Sequence, residues 1–180
     1  MVRADAAKNR EQILAVAREA FGESTEASMI GIARRAGVGA GTLYRHFPTR
    51  EALLVAVYRD EVERLVGAVP RMLADHSPLD AFRAWFWMFA EAVRFKYGLG
   101  DALQAPVLQE EVSGTVTPMV AAVRELLAAC AADGSMRPGL DAEDVLVVMA
   151  FMTRIDRLPG GPDQAERAMD LVLTGLGLLG

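Results

Sequence analysis

The sequence has one cysteine, Cys130, and two histidines, His46 and His76, among its 180 residues. A lone cysteine allows no intrachain disulfide, and neither Cys nor His clusters at metal-ligand spacing. No nucleophile stands beside a base in a recognisable constellation either, so the chain does not read as an enzyme and no cofactor or metal is expected. Cys130 reads as a packed small hydrophobe. Long apolar runs are also missing: the longest, Val145 to Met152, is far short of the roughly 20 residues that span a bilayer. No signal peptide opens the chain. The expectation is a soluble cytoplasmic protein with no membrane partner. Strand-like alternation is absent as well, and no internal repeat is seen, so the fold class is all-α. One apparent motif is set aside. Gly175-Leu-Gly177-Leu-Leu-Gly180 spells the dinucleotide fingerprint, but that motif must follow a strand and open a helix, and here it follows a helix.

A 52% hydrophobic share excludes a disordered chain. The formal net charge of −5 speaks against nucleic acid until its distribution is considered. Met1 to Arg50 holds eight basic and five acidic residues, a net of +3, whereas the remainder holds eleven basic and nineteen acidic, a net of −8. A basic head on an acidic body follows.

The stretch Ser28 to Phe47, SMIGIARRAGVGAGTLYRHF, organises that head. Ser28 suits a helix N-cap, because its hydroxyl can accept from a first-turn N–H. Met29, Ile32, Ala33 and Ala36 recur at helical spacing and make one apolar face. Gly37 suits the left-handed residue after a helix end, and Val38 plugs the angle that follows. A second helix restarts at Ala40, with Leu43 and Phe47 inward and Thr42, Tyr44, Arg45 and His46 outward. Two short helices joined by a glycine turn form the helix-turn-helix pattern, whose second helix enters the major groove.

Ile32-Ala33-x-x-Ala36-Gly37-Val38, then Gly41-Thr42-Leu43-Tyr44-x-His46-Phe47, then Arg50-Glu51-Ala52-Leu53-Leu54 resembles the DNA-binding domain of TetR/AcrR-type transcriptional regulators. The likeness covers residues 9–58, and residues 59–180 resemble the family only in their helical layout. It implies an N-terminal three-helix DNA-binding domain followed by a helical effector-binding and dimerisation domain. By resemblance, Ser28, Thr42, Tyr44, His46 and Arg50 hold phosphates, while Ala40, Gly41 and Arg45 face bases and Gly39 and Gly41 permit close backbone approach. Arg34 and Arg35 flank the turn, and either a phosphate contact by one or solvation of both fits. The function implied is a homodimeric, sequence-specific regulator, a repressor released from a palindromic operator by a small, largely apolar effector. The alternative is a dimeric helical binding module whose helix-turn-helix no longer takes DNA.

Along the chain, Met1 to Lys8 reads as a frayed arm and Asn9 as the start of the first helix, with Gln12 at capping-box spacing and Ile13, Leu14, Ala17, Ala20 and Phe21 buried. Pro48 stops the second helix of the motif, and Thr49 caps the next, in which Pro70 must end, kink or restart the helix. Ser77-Pro78 opens an aromatic-rich helix, whose face Phe82, Trp85, Phe86 and Phe89, with Met119, Met149 and Met152, is either effector pocket or ordinary core. Trp87 lies on its polar side and is expected to meet another helix or subunit. A helix over Val116 to Ala132 follows, with Asp133-Gly134 and Pro138-Gly139 bracketing a loop. Asp141 caps a helix to about Leu158, Pro159 to Pro162 is a loop, and Asp163 to Leu179 is the last helix. Ala168, Leu171, Val172, Gly175, Leu176 and Leu179 form the expected dimer seam, since by resemblance the last two helices pair with their twofold mates; packing within one chain is the other reading.

Overall fold

A computed structural model describes residues 2–24, 26–98, 113–152 and 161–175. Among these the helices are α1 (Val2–Glu23), α2 (Met29–Arg35), α3 (Ala40–His46), α4 (Arg50–Asp75), α5 (Pro78–Gly98), α6 (Val116–Asp133), α7 (Ala142–Met152) and α8 (Gly161–Gly175), and no strand occurs. Two compact units result: Met1–Glu61 with Phe95–Gly114, and Val62–Arg94 with Thr115–Gly180.

The first unit has one core. Ile13, Leu14, Ala17, Ala20 and Phe21 of α1 meet Met29, Ile32 and Ala33 of α2, Leu43 and Phe47 from α3 and its end, and Leu53, Leu54 and Val57 of α4. Helix α2 ends at Ala36 in a Schellman motif: Gly37 N–H donates to Arg34 O at 3.2 Å and Val38 N–H to Ala33 O at 3.0 Å. Gly37 has φ +66°, the left-handed conformation that a side chain resists, and Val38 packs on the core from the turn. Thr49 caps α4, its Oγ1 accepting from Ala52 N–H at 3.1 Å.

One sequence expectation is corrected here, and of the three outcomes expected at Pro70 two, an end and a restart, are excluded. Helix α1 begins at Val2, so the stretch read as a frayed arm is helical and Asn9 is interior. Ala4, Ala6, Ala7 and Lys8 are strong helix formers, and their summed preference outweighs the weak penalty of one Asn. Helix α4 runs from Arg50 to Asp75 with Pro70 inside it. The missing N–H removes the bond to the carbonyl of Val66, yet Leu65 and Val69 on the same helix are fully buried. Burial of that side holds the helix through the proline.

In the second unit, Ser77 caps α5: its Oγ accepts from Asp80 N–H at 3.3 Å and donates to the Asp80 carboxylate at 2.6 Å. Trp85 is buried, stacks on Phe89 with ring centroids 5.7 Å apart, and donates its indole N–H to Leu65 O at 2.8 Å. That bond satisfies the one polar group the ring carries into the core. Helix α6 packs on α7, and α7 on α8. Met119, Val123, Leu126, Leu127 and Cys130 of α6 are buried, and burial pushes the Cys130 thiol pKa up. Gly134 closes α6 in the left-handed conformation, φ 80°. Asp141 caps α7 through Oδ1, which accepts from Glu143 and Asp144 N–H at 2.8 and 3.1 Å. Helix α8 starts at Gly161, earlier than the expected loop allowed; Pro162 sits in its first turn, where a missing N–H costs nothing. Residues 159–160, the expected helix from 153 to 158, and residues 99–112 lie outside the described residues.

The two kinds of glycine should separate cleanly in urea unfolding. Gly37→Ala strains the turn and is expected to destabilise by about 1–2 kcal/mol. Gly67, inside α4, has open space where a Cβ would stand, so Gly67→Ala should stabilise by about 1 kcal/mol.

Candidate nucleic-acid interface

Helices α2 and α3 have seven residues each, too short to persist alone in water. Each is held by what it buries: Met29, Ile32 and Ala33 on α2, and Leu43 on α3 with Phe47 at its end. The opposite faces are therefore fixed in direction. Ala40, Gly41, Tyr44 and Arg45 are exposed, Thr42 and His46 half-buried. Tyr44 is 45% exposed, a large fraction for an aromatic ring. Arg45 lies back along its own helix, with Nε donating to Gly41 O and Nη2 to Thr42 Oγ1, both at 3.1 Å. Exchange of those weak local bonds for a base edge costs little. Gly39 is the N-cap of α3 in extended conformation, and neither Gly39 nor Gly41 has any atom within 4 Å of where a Cβ would be. At the start of α2, exposed Ser28 accepts from Gly31 N–H at 3.1 Å as the expected N-cap. One face thus gathers hydroxyl, phenol and guanidinium groups around bare backbone. Hydroxyl, phenol and backbone N–H donors suit phosphates, and a guanidinium suits a guanine edge.

The arginines of the head differ in ways their spacing does not reveal. Arg35 is held by Glu23 at 2.7 and 3.1 Å and reaches Glu19 at 3.5 Å. Its neighbour Arg34 is exposed. The hydrogen bond and charge of Arg35 hold the Glu23 carboxyl pKa below its ordinary value, and the hydrogen bond and charge of Glu23 raise that of Arg35. Arg18 on α1 pairs with the buried Glu61 on α4 at 3.4 Å. Arg50, expected at a phosphate, is half-buried: Nη1 donates to Ala27 O at 2.6 Å, and the guanidinium lies 5.0 Å over the Phe21 ring. Arg10 lies 5.5 Å over Phe47 in the same manner. Neither ring contact has a signature in sequence spacing, because each joins residues from different helices.

The aromatic and methionine residues of the second unit are all buried: Phe82, Trp85, Phe86, Phe89, Met119, Met149 and Met152. None of them lines either of two open clefts in this unit. One, of about 480 Å³, is bounded by Arg64, Gly67, Ala68, Arg71, Met72, Asp75, His76 and Met88. The other, of about 270 Å³, is bounded by Arg83, Trp87, Met169 and Asp170, with Arg83 and Asp170 paired at 2.9 Å. Trp87 thus borders a cleft together with Met169 and Asp170 of α8 and stands edge-on to Phe86 of its own helix. Of the expected dimer seam, Leu171 is 75% exposed, Gly175 is exposed, and Ala168 and Val172 are half-buried; Leu176 and Leu179 lie outside the described residues. Helix α7 also exposes three apolar residues, Val147, Val148 and Phe151, the last 68% exposed. They stand opposite the buried Val145, Met149 and Met152. Their signal was present in the run Val145 to Met152, because a helix apolar all round has a second face to cover.

Comparison with known proteins gives a consistent result. Residues 13–57 match the pattern of bacterial regulatory proteins of the tetR family, and residues 77–178 match the C-terminal domain of SbtR-like transcriptional regulators. The crystal structure of the TetR transcriptional regulator SCO0520 from Streptomyces coelicolor is 41% identical, with 95% of this chain and 99% of that one covered and a TM-score of 0.84. A TetR transcription regulatory protein from Mycobacterium vanbaalenii is 36% identical, covering 98% and 99% of the two chains, with a TM-score of 0.81. The HTH-type transcriptional repressor KstR2 of Mycolicibacterium smegmatis is 28% identical over 94% of this chain and 91% of its own length.

The Glu23–Arg35 pair predicts a pH dependence whose sign is fixed. A carboxylate with a lowered folded-state pKa stabilises above its unfolded pKa, and the effect fades as pH falls through the lowered value. In an NMR titration, Arg35→Ala should move the Glu23 carboxyl midpoint up toward the ordinary glutamate range. An unmoved midpoint would show that the pair does not form in solution.

Proposed function

This chain belongs to the TetR family of bacterial transcriptional regulators, and from that footing we propose that it is a cytoplasmic, homodimeric repressor released from its operator by a small molecule. The observation that carries the reading is the outward face of α3, where Tyr44 and Arg45 stand exposed on a helix whose other side is locked into the core. Residues 9–58 are the reading head and residues 59–180 sense and dimerise. Ser28, Thr42, Tyr44 and His46 take phosphates, fixing register. Arg45 reads a base, with Ala40 and Gly41 leaving room and Gly39 allowing close approach of the backbone. Two such heads related by a twofold axis read a pseudopalindrome, with half-sites about one helical turn apart.

The dimer face is the apolar side of α7 and α8, carried by Val147, Val148, Phe151 and Leu171, whose exposure in a single chain calls for a partner. The effector is small and largely apolar and is taken among Phe82, Trp85, Phe86, Phe89, Met119, Met149 and Met152, which must part to admit it. It acts by binding more tightly to a state in which α4 carries the heads out of register, since only differential affinity shifts the equilibrium.

Two measurements follow. By fluorescence anisotropy on DNA from upstream of its own gene, the protein should bind tightly at low salt and lose affinity steeply as salt rises. A Tyr44→Ala, Arg45→Ala double variant should bind at least about tenfold more weakly, in line with the 1–3 kcal/mol that one bidentate base contact contributes. Equal, weak binding by both proteins at every salt concentration, with that DNA and with a pool of genomic fragments, would favour a binding module without DNA. In sedimentation, Phe151→Glu with Leu171→Glu should convert a dimer to a folded monomer; an unchanged dimer would move the interface elsewhere.

A further inference from the structure

We propose that Arg50 is a positioning residue: it fixes the start of α2 through the carbonyl of Ala27 and is not a phosphate ligand. The motif places Arg50 among phosphate contacts, but the folded head uses the group otherwise. Its guanidinium face covers Phe21, a ring only 2% exposed at the end of α1, and Nη1 donates to Ala27 O at 2.6 Å. A short charge-assisted bond and a stacked ring act on one planar group together. Arg50 is the first residue of α4, so three elements meet at this side chain: the end of α1, the loop before α2 and the start of α4.

What Ala27 controls is the next residue. Ser28 is the N-cap of α2, its Oγ accepting from Gly31 N–H at 3.1 Å and its carbonyl from Ile32 N–H at 2.9 Å. A two-turn helix has little strength of its own, so the direction of its first turn depends on the support given to the residue before the cap. Ala27 also donates its own N–H to Ser24 O, at 3.1 Å within the loop, and packs on the edge of the core. Arg50 supplies a tie to that loop from outside it. Lysine would not replace it: an ammonium has the charge but neither the flat face for Phe21 nor the rigid fork for Ala27.

The test has two arms. In the free protein, hydrogen exchange at the amides of Gly31 and Ile32 should quicken about tenfold in Arg50→Ala and as much in Arg50→Lys. Phe21→Leu, which keeps the charge and an apolar core residue but removes the ring face, should shift the same amides in the same direction. With DNA, an arm that rests on the reading proposed above, Arg50→Ala should lower affinity by a similar factor at every salt concentration and leave the slope of log affinity against log salt unchanged. Loss of a phosphate contact would instead shrink that slope by about 0.9, and Lys would restore it. A reduced slope rescued by Lys, or unaltered exchange in all three variants, overturns the proposal. If no DNA is bound by the wild-type protein, the reading head is what fails, and the exchange arm still decides the role of Arg50.

Discussion

A helix of seven residues cannot pay its own nucleation entropy in water, and the whole reading surface of this chain rests on two of them. Leu43 and Phe47 enter a core shared with α1, α2 and α4, and Gly37 sets the angle at which α3 leaves α2. Those burials fix where Tyr44 and Arg45 point. Loss of any one would leave the polar face chemically intact and geometrically useless, because base readout needs the donors held in register against the groove.

The same constraint explains how the basic residues of the head are used. Arg18 and Arg35 are in ion pairs, and Arg10 and Arg50 lie against phenylalanine rings. Half of the eight basic residues in Met1 to Arg50 therefore brace one helix against another. The positive charge of the head still attracts a polyanion at long range, since the field does not depend on which arginine is paired. On the proposed reading, close contact falls to a shorter set, in which Arg34 and Arg45 are exposed.

Much of this was legible in the sequence wherever a feature is local. The N-cap at Ser28, the left-handed Gly37, the stop at Pro48, and the caps at Thr49, Ser77 and Asp141 each follow from a few adjacent residues, and each is realised. What local reading missed is tertiary. Pro70 argues for a break by itself, yet burial of Leu65 and Val69 holds α4 together. The start of α1 escapes a local reading because its polar residues suggest an arm, whereas the summed helix preference of Ala4, Ala6, Ala7 and Lys8 is the stronger term. The partners of Arg50 and Arg10 come from other helices and are invisible to spacing. The stripe Phe82, Trp85, Phe86 and Phe89 has the same pattern whether it lines a pocket or a core, and its residues are buried here. Apolar residues of α7 faced the same ambiguity in reverse, since an all-apolar helix gives no hint of which side is left uncovered.

The central claim is that the outward face of α3 reads DNA sequence, twice, through a twofold dimer. Selection of bound fragments from a random duplex pool, with purified protein and several rounds at rising salt, tests it directly. The account predicts enrichment of one pseudopalindrome, whose half-site preference relaxes at a single position when the selection is repeated with Arg45→Ala. Recovery of a sequence-random pool, or of an asymmetric site indifferent to Arg45, would contradict it.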